Sequence, residues 1–201
     1  MDHTIKKVIL ASGSPRRKEL LVSLGWPFDV IVSDVDEHLL PKEDPVAMAK
    51  RLAESKALSV SVDFPEAYVI GSDTIVTIDG QVLGKPADRE ESLKMLRLLN
   101  GKTHRVYSGV ALCSGDRMFS DVECTEVTFR QLDEDALSAY VESEEGLDKA
   151  GSYAIQGQGA LLVQSIHGCY FNVVGLPLYA LSCLFEKAGL SLADQWRMRE
   201  K

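Results

Sequence analysis

The chain has 201 residues, is 45% hydrophobic and carries a formal net charge of −8. That length supports one domain over residues 1–201 with a sizeable core and room for two lobes. The acidic balance disfavours nucleic acid as a principal partner, and a local basic site in such a chain suits a small polyanion better.

The apolar run Val8-Ile9-Leu10-Ala11 reads as a buried strand. It leads into Ser12-Gly13-Ser14-Pro15-Arg16-Arg17 and then an amphipathic helix ending at Gly25. Ser14 suits the N-cap and Pro15 the first helical position. Arg16 and Arg17 then stand in a first turn whose partial positive charge disfavours cations. A bound anion removes that conflict, because backbone N–H groups, hydroxyls and guanidiniums converge on it. The plainer alternative is a capped helix with two solvated arginines.

Phe28 to Ser33 alternates as a strand, and an acidic stretch from Asp34 to Asp44 follows. Within it, Asp36 and Glu37 repel each other unless solvated or bridged by a cation. Glu37 gains interest if the fold brings it near Asp73, where two carboxylates could share Mg²⁺ with substrate phosphates. Asp44-Pro45 opens a helix from about Val46 to Ser59. Its apolar stripe of Val46, Ala49, Leu52 and Ala53 is continued by Lys56, which either snorkels to the edge or meets an anion inside.

Ala67 to Gly71 is a second buried strand, running into Ser72-Asp73-Thr74. Asp73 is read at the end of that strand, where α/β sheets place ligands. A carboxylate there holds a divalent cation or accepts a proton from water, or simply caps a turn. Ile75 to Ile78 and the hairpin signal Asp79-Gly80 come next. Lys85, in Leu83-Gly84-Lys85-Pro86, is pushed towards an extended conformation by Pro86.

A helix is expected from Glu90 to Leu99, stopped by Asn100-Gly101. Strands over 104–113 and 118–129 flank the turn Ser114-Gly115-Asp116. Asp133 caps a helix carrying Leu137, Tyr140 and Val141. Gln156 follows in the glycine-punctuated segment Lys149 to Gly159, as a loop residue or as an amide facing a base edge. A strand from Ala160 to Ile166, a turn at His167-Gly168 and a final helix from Leu178 to Lys187 complete the chain. The intermixing of strands and helices gives an α/β or α+β class with a mixed sheet.

Cys113, Cys124, Cys169 and Cys183 form no C-x-x-C pair and read as reduced, mostly buried thiols. His3, His38, His104 and His167 lack metal-ligand spacing and read as surface or turn residues. No apolar run approaches a membrane span and the N-terminus lacks a signal region, so a cytoplasmic protein without a membrane partner is expected. Four cations, two or three carboxylates and an amide suit phosphoryl or nucleotidyl transfer to water. The absence of G-x-x-x-x-G-K-[ST] excludes a Walker-type hydrolase.

Leu10 to Leu21, Gly71-Ser72-Asp73-Thr74, Gly84-Lys85-Pro86, Asp148 to Gly151 through Gln156-Gly157, and Asn172 to Pro177 together resemble the Maf family of nucleoside triphosphate pyrophosphatases. The resemblance spans nearly the whole chain. It implies a mixed, elongated α/β sheet with flanking helices and two lobes around a central cleft, similar to the inosine-triphosphate pyrophosphatases. It implies hydrolysis of a nucleoside triphosphate to a monophosphate and pyrophosphate with Mg²⁺, Mn²⁺ or Co²⁺. Asp73 would accept a proton or hold the metal, with Glu37 as a second carboxylate near it. Ser12, Ser14, Arg16, Arg17, Lys56 and Lys85 would hold phosphates, and Arg16, Thr74 and Gln156 fall where the family tunes substrate choice. The segment Lys149 to Gly157 looks like the branch that prefers dTTP and UTP rather than the one that prefers 7-methyl-GTP. The resemblance further implies a homodimer, and it leaves a second class open: a nucleotide-binding regulator of septum formation in cell division.

Overall fold

The computed structural model describes residues 6–36, 40 and 43–199. Glu37, His38 and His3 lie outside the described residues. The expected mixed α/β architecture is present: a seven-stranded sheet ordered β2-β1-β3-β5-β6-β7, with β4 added on β3. In chain order the strands are β1 (Val8–Leu10), β2 (Phe28–Val30), β3 (Tyr68–Ile78), β4 (Gln81–Leu83), β5 (Thr103–Ser114), β6 (Arg117–Phe129) and β7 (Val163–His167). The helices are α1 (Pro15–Leu24), α2 (Pro45–Ser61), α3 (Arg89–Leu99), α4 (Glu134–Glu142), α5 (Tyr170–Val174), α6 (Leu178–Lys187) and α7 (Leu192–Arg197). β1 runs parallel to both β2 and β3, whereas β4 on β3 and β7 on β6 are antiparallel.

The chain divides into two compact units, one of residues Met1–Asp73, Ser108–Glu123 and Gly175–Lys201, the other of Thr74–Tyr107 and Cys124–Val174. In the first unit, Ala53, Ala57 and Val60 of α2 pack on Ile9, Val69, Ala111 and Cys113 of the sheet. Glycine makes that contact close. A Cβ on Gly71 would collide with the Ala53 carbonyl oxygen and stand 2.6 Å from the Ala57 amide nitrogen. A Cβ on Gly109 would likewise collide with the Ala49 carbonyl. The helix backbone therefore lies directly on β3 and β5, as isolated strand glycines signal. On α6, Phe185 meets Trp26 and Tyr68 edge-on, each at 5.2 Å between ring centroids.

In the second unit, Phe129, His104 and Tyr153 form a mutual edge-to-face cluster with centroids 4.8–5.3 Å apart. Asp88 and Asp133 cap α3 and α4 through Glu91 N–H and Ala136 N–H. The Asp79-Gly80 hairpin is formed, with both residues at positive φ, the geometry that a tight two-residue turn demands.

Several expectations need correction. β3 does not end before Asp73 but continues to Ile78, so Asp73 lies inside an eleven-residue strand. Burial of Gly71 and Ser72 and pairing along the strand override their turn propensity. The expected strand from Ala160 is a 3₁₀ turn through Leu162, and β7 begins only at Val163. The helix at Leu178 is not final, because Ser191 caps α7; α5 was also unforeseen. Val46 is exposed rather than part of the α2 stripe. His104 is 2% exposed, not a surface residue. Of the cysteines, Cys113 alone is buried.

Candidate active site

β1 pairs with β3 only as far as Leu10 opposite Ile70. Ala11 N–H closes that ladder on Ile70 O at 2.8 Å. Beyond that pair β1 leaves β3, and the loop Ser12-Gly13-Ser14 opens at the carboxyl end of β1. This is the place where an open α/β sheet presents a crevice.

Successive strand residues point to opposite faces. Val69 faces α2, and Asp73 shares that face. Lys56 on α2 donates to Asp73 Oδ1 at 2.6 Å, with both side chains nearly buried. Of the two fates open to Lys56, the inward one is realised, and its partner is a carboxylate of the site. A buried pair of this kind is costly to break, because removing one partner strands the other charge.

Ser72 faces the other way. Its hydroxyl lies 2.8 Å from Gly109 O and 3.0 Å from Gly175 O and is fully buried. The Gly175 carbonyl also accepts the Arg17 Nε–H at 2.8 Å. Arg17 Nη1 donates to Ser12 Oγ at 3.2 Å, and Ser14 N–H donates to the same oxygen at 3.2 Å. Arg17 is 9% exposed and braces the loop, whereas Arg16 is half-buried. Ser14 occupies the N-cap of α1 but makes no side-chain capping bond, and no acidic residue stands in the first turn. The positive end of α1 thus has neither a side-chain cap nor a first-turn carboxylate to balance it.

The second unit carries Thr74, Lys85 and Gln156. Thr74 follows Asp73 in β3 and is half-buried; Lys85 is exposed in the segment after β4. Gly151 N–H donates to Gly84 O at 3.1 Å, tying the Lys85 segment to the one that carries Gln156. Gly151 takes φ +71°, and a Cβ there would press on Val76 Cγ1 at 2.9 Å. Ser152, also at positive φ, is held by Ser92 through an Oγ···Oγ contact of 2.6 Å. Tyr153 Oη lies 2.8 Å from His104 Nε2. Burial depresses the His104 pKa to about 4, so the ring is neutral at ordinary pH.

On the far side of Gln156, Glu145 accepts from Gln158 N–H at 3.0 Å, Gly159 N–H at 2.8 Å and Tyr140 O–H at 3.1 Å. Gln156 is therefore held between two buttressed turns. Sequence reasoning missed Glu145, His104 and Ser72. The partners of Ser72 and His104 are remote in the chain, those of Glu145 lie 5 to 14 residues away, and none of the three residue types carries a local signature.

Asp73 offers a hard oxygen donor, and among the described residues no cluster of three or more His, Cys, Asp or Glu can hold a metal ion. That donor set does not form a protein-only cage. It fits an ion such as Mg²⁺, which binds through one or two carboxylates and shares the substrate's phosphate oxygens. Asp36 is exposed. No helix among the described residues is long and apolar enough to cross a membrane.

A family model described as Maf-like protein matches residues 7–188. The chain is similar to the dTTP/UTP pyrophosphatase of Bacillus cytotoxicus, at 51% identity over 177 residues, covering 88% of this chain and 93% of that protein. It is similar to the Bacillus anthracis protein of the same name at 50% identity, with the same coverage. Among solved structures, a nucleoside-triphosphatase / dITP/XTP pyrophosphatase from Mycobacterium abscessus aligns with a TM-score of 0.40 and 16% identity, over 63% of this chain and 75% of that one.

Proposed function

The chain belongs to the Maf-like protein family, and on that premise we propose that it hydrolyses dTTP and UTP to the monophosphate and pyrophosphate, limiting incorporation of unwanted nucleotides. The buried Lys56–Asp73 pair beside the Ser12–Arg17 loop carries the reading. Asp73 accepts the proton of the attacking water. Lys56 fixes the orientation of that carboxylate and brings a positive charge to the phosphate end. Ser12, Ser14, Arg16 and the α1 N-terminus, together with Lys85, hold the triphosphate oxygens. A divalent cation held by Asp73, with Glu37 as a second carboxylate, would neutralise charge developing on the phosphates. Thr74 and Gln156 contribute to the choice of base. The activity belongs to a single domain over residues 1–201, acting as a homodimer in the cytoplasm.

The test is purified protein with dTTP, UTP, CTP and 7-methyl-GTP, with Mg²⁺ or Mn²⁺ and after chelation, and with pyrophosphate detected directly. One pyrophosphate per dTTP or UTP consumed, lost on chelation, supports the reading. Orthophosphate with a diphosphate product contradicts it, and preference for 7-methyl-GTP moves the chain to the family's other branch.

A further inference from the structure

Arg17 looks at first like a phosphate ligand, since it is one of two arginines at a helix N-terminus. Two of its five N–H groups already do other work. Nε–H is spent on Gly175 O at 2.8 Å and an Nη1–H on Ser12 Oγ at 3.2 Å, both within buried surroundings. Ser12 Oγ accepts a second hydrogen bond from Ser14 N–H at 3.2 Å. A hydroxyl has two lone pairs and one hydrogen. Arginine and backbone N–H groups can only donate, so both lone pairs of Ser12 are taken. Its hydrogen is left to point at a third group, which must be an acceptor. The oxygens of an ionised triphosphate are acceptors.

The Gly175 carbonyl is the junction of this arrangement. It receives Arg17 from α1 and lies 3.0 Å from the Ser72 hydroxyl on β3, whose single hydrogen it shares with Gly109 O at 2.8 Å. Ser72 immediately precedes Asp73, and the two side chains leave the strand on opposite faces. One backbone oxygen thereby fixes the Ser12 loop and the residue next to the carboxylate. We propose that Arg17 is a positioning residue which, through the carbonyl it shares with Ser72, holds Ser12 Oγ as an obligate donor to the substrate's phosphates and keeps that donor in register with Asp73. This rests on the pyrophosphatase reading above. A lysine cannot replace the arginine in this role, because a single ammonium lacks the rigid fork that reaches both acceptors.

The experiment compares wild type, Ser12→Ala, Arg17→Lys and the double variant in the full chain. It measures inorganic tripolyphosphate binding by calorimetry, dTTP turnover by pyrophosphate release, and thermal unfolding. Ser12→Ala and Arg17→Lys should each weaken binding and kcat/KM by roughly tenfold to a hundredfold, the scale of one hydrogen bond to a charged group. The double variant should be no worse than Ser12→Ala alone, within about twofold, because Arg17 acts through Ser12. Full function in Arg17→Lys, or losses that multiply in the double variant, overturns the proposal and makes Arg17 an independent phosphate ligand. Should Arg17→Lys not fold, Arg17→Gln, alone and with Ser12→Ala, carries the same test, since it removes the charged fork while keeping a neutral donor in its place. Coupled losses in tripolyphosphate binding without pyrophosphate release from dTTP would leave the positioning role standing and sink the pyrophosphatase reading. Turnover with multiplying losses would do the reverse.

Discussion

Lys56 of α2 reaches Asp73 of β3 at 2.6 Å because glycine at position 71 lets the helix backbone rest on the strand. A helix one side chain further away would leave the ammonium short of the carboxylate. The ion pair and the glycine seat are thus one device.

Asp73→Asn should reduce pyrophosphate release by on the order of 10²-fold or more while the fold is retained, as for removal of a general base. The amide preserves shape but neither accepts the proton nor balances a cation as a carboxylate does. Circular dichroism and thermal unfolding check the fold, and near-normal turnover would remove Asp73 from the chemistry.

Lys56→Met should cost stability as well as activity, by about 3–5 kcal/mol, because it strands a buried carboxylate. Adding Asp73→Asn should recover most of the lost melting temperature and none of the turnover. If the single variant melts like wild type, the pair is energetically idle.

Gly71→Ala places a methyl group against the Ala53 carbonyl oxygen. Forcing α2 off β3 should cost about 1–3 kcal/mol, the usual scale of overpacking. It should lower kcat more than it raises KM, since the displaced Lys56 orients the reacting carboxylate. A change in KM alone would contradict the seat.

His104 gives the pH dependence of stability a definite sign. Its folded pKa is depressed from 6.5 to about 4 by burial. Above pH 6.5 both folded and unfolded chains hold it neutral and it adds no pH dependence. As pH falls towards 4 the unfolded chain takes up a proton that the folded chain refuses, so stability declines by roughly 3 kcal/mol in total. Denaturant melts of wild type and His104→Gln between pH 7 and 4 should show a smaller decline in the variant. Parallel curves would mean that His104 titrates normally.

Gln156→Ala should narrow the preference for dTTP and UTP over CTP. A mismatched buried polar edge costs about 1–3 kcal/mol, or roughly tenfold to a hundredfold in kcat/KM. Unchanged ratios would make Gln156 an ordinary loop residue.

Local chemistry was readable from the chain. Asp44 and Asp133 cap α2 and α4 as expected, whereas α3 starts one residue before the expected Glu90, on an Asp88 cap that was not singled out. Asp79-Gly80 and Ser114-Gly115-Asp116 turn as their residue types require. The Ser12–Arg17 loop was legible because cations at a helix N-terminus contradict the dipole. What the sequence hid depends on partners far along the chain. The two bonds at Gly175 span 158 and 103 residues. The continuation of β3 through Asp73 is a tertiary outcome, since Gly71-Ser72-Asp73 favours a turn in isolation. The stripe on α2 pointed correctly to an inward Lys56, yet nothing local could choose between an escape to solvent and a carboxylate.

Glu145 decides what the backbone amides around it can still bind. A run of glycine-rich backbone after a polar residue ordinarily attracts anions to its amides. Here the amides of Gln158 and Gly159 are already spent on a carboxylate of the protein itself. A triphosphate tail offered to this loop meets negative charge where it needs donors. With those two amides engaged and a carboxylate beside them, the turn after Gln156 has neither donor left for a second anion.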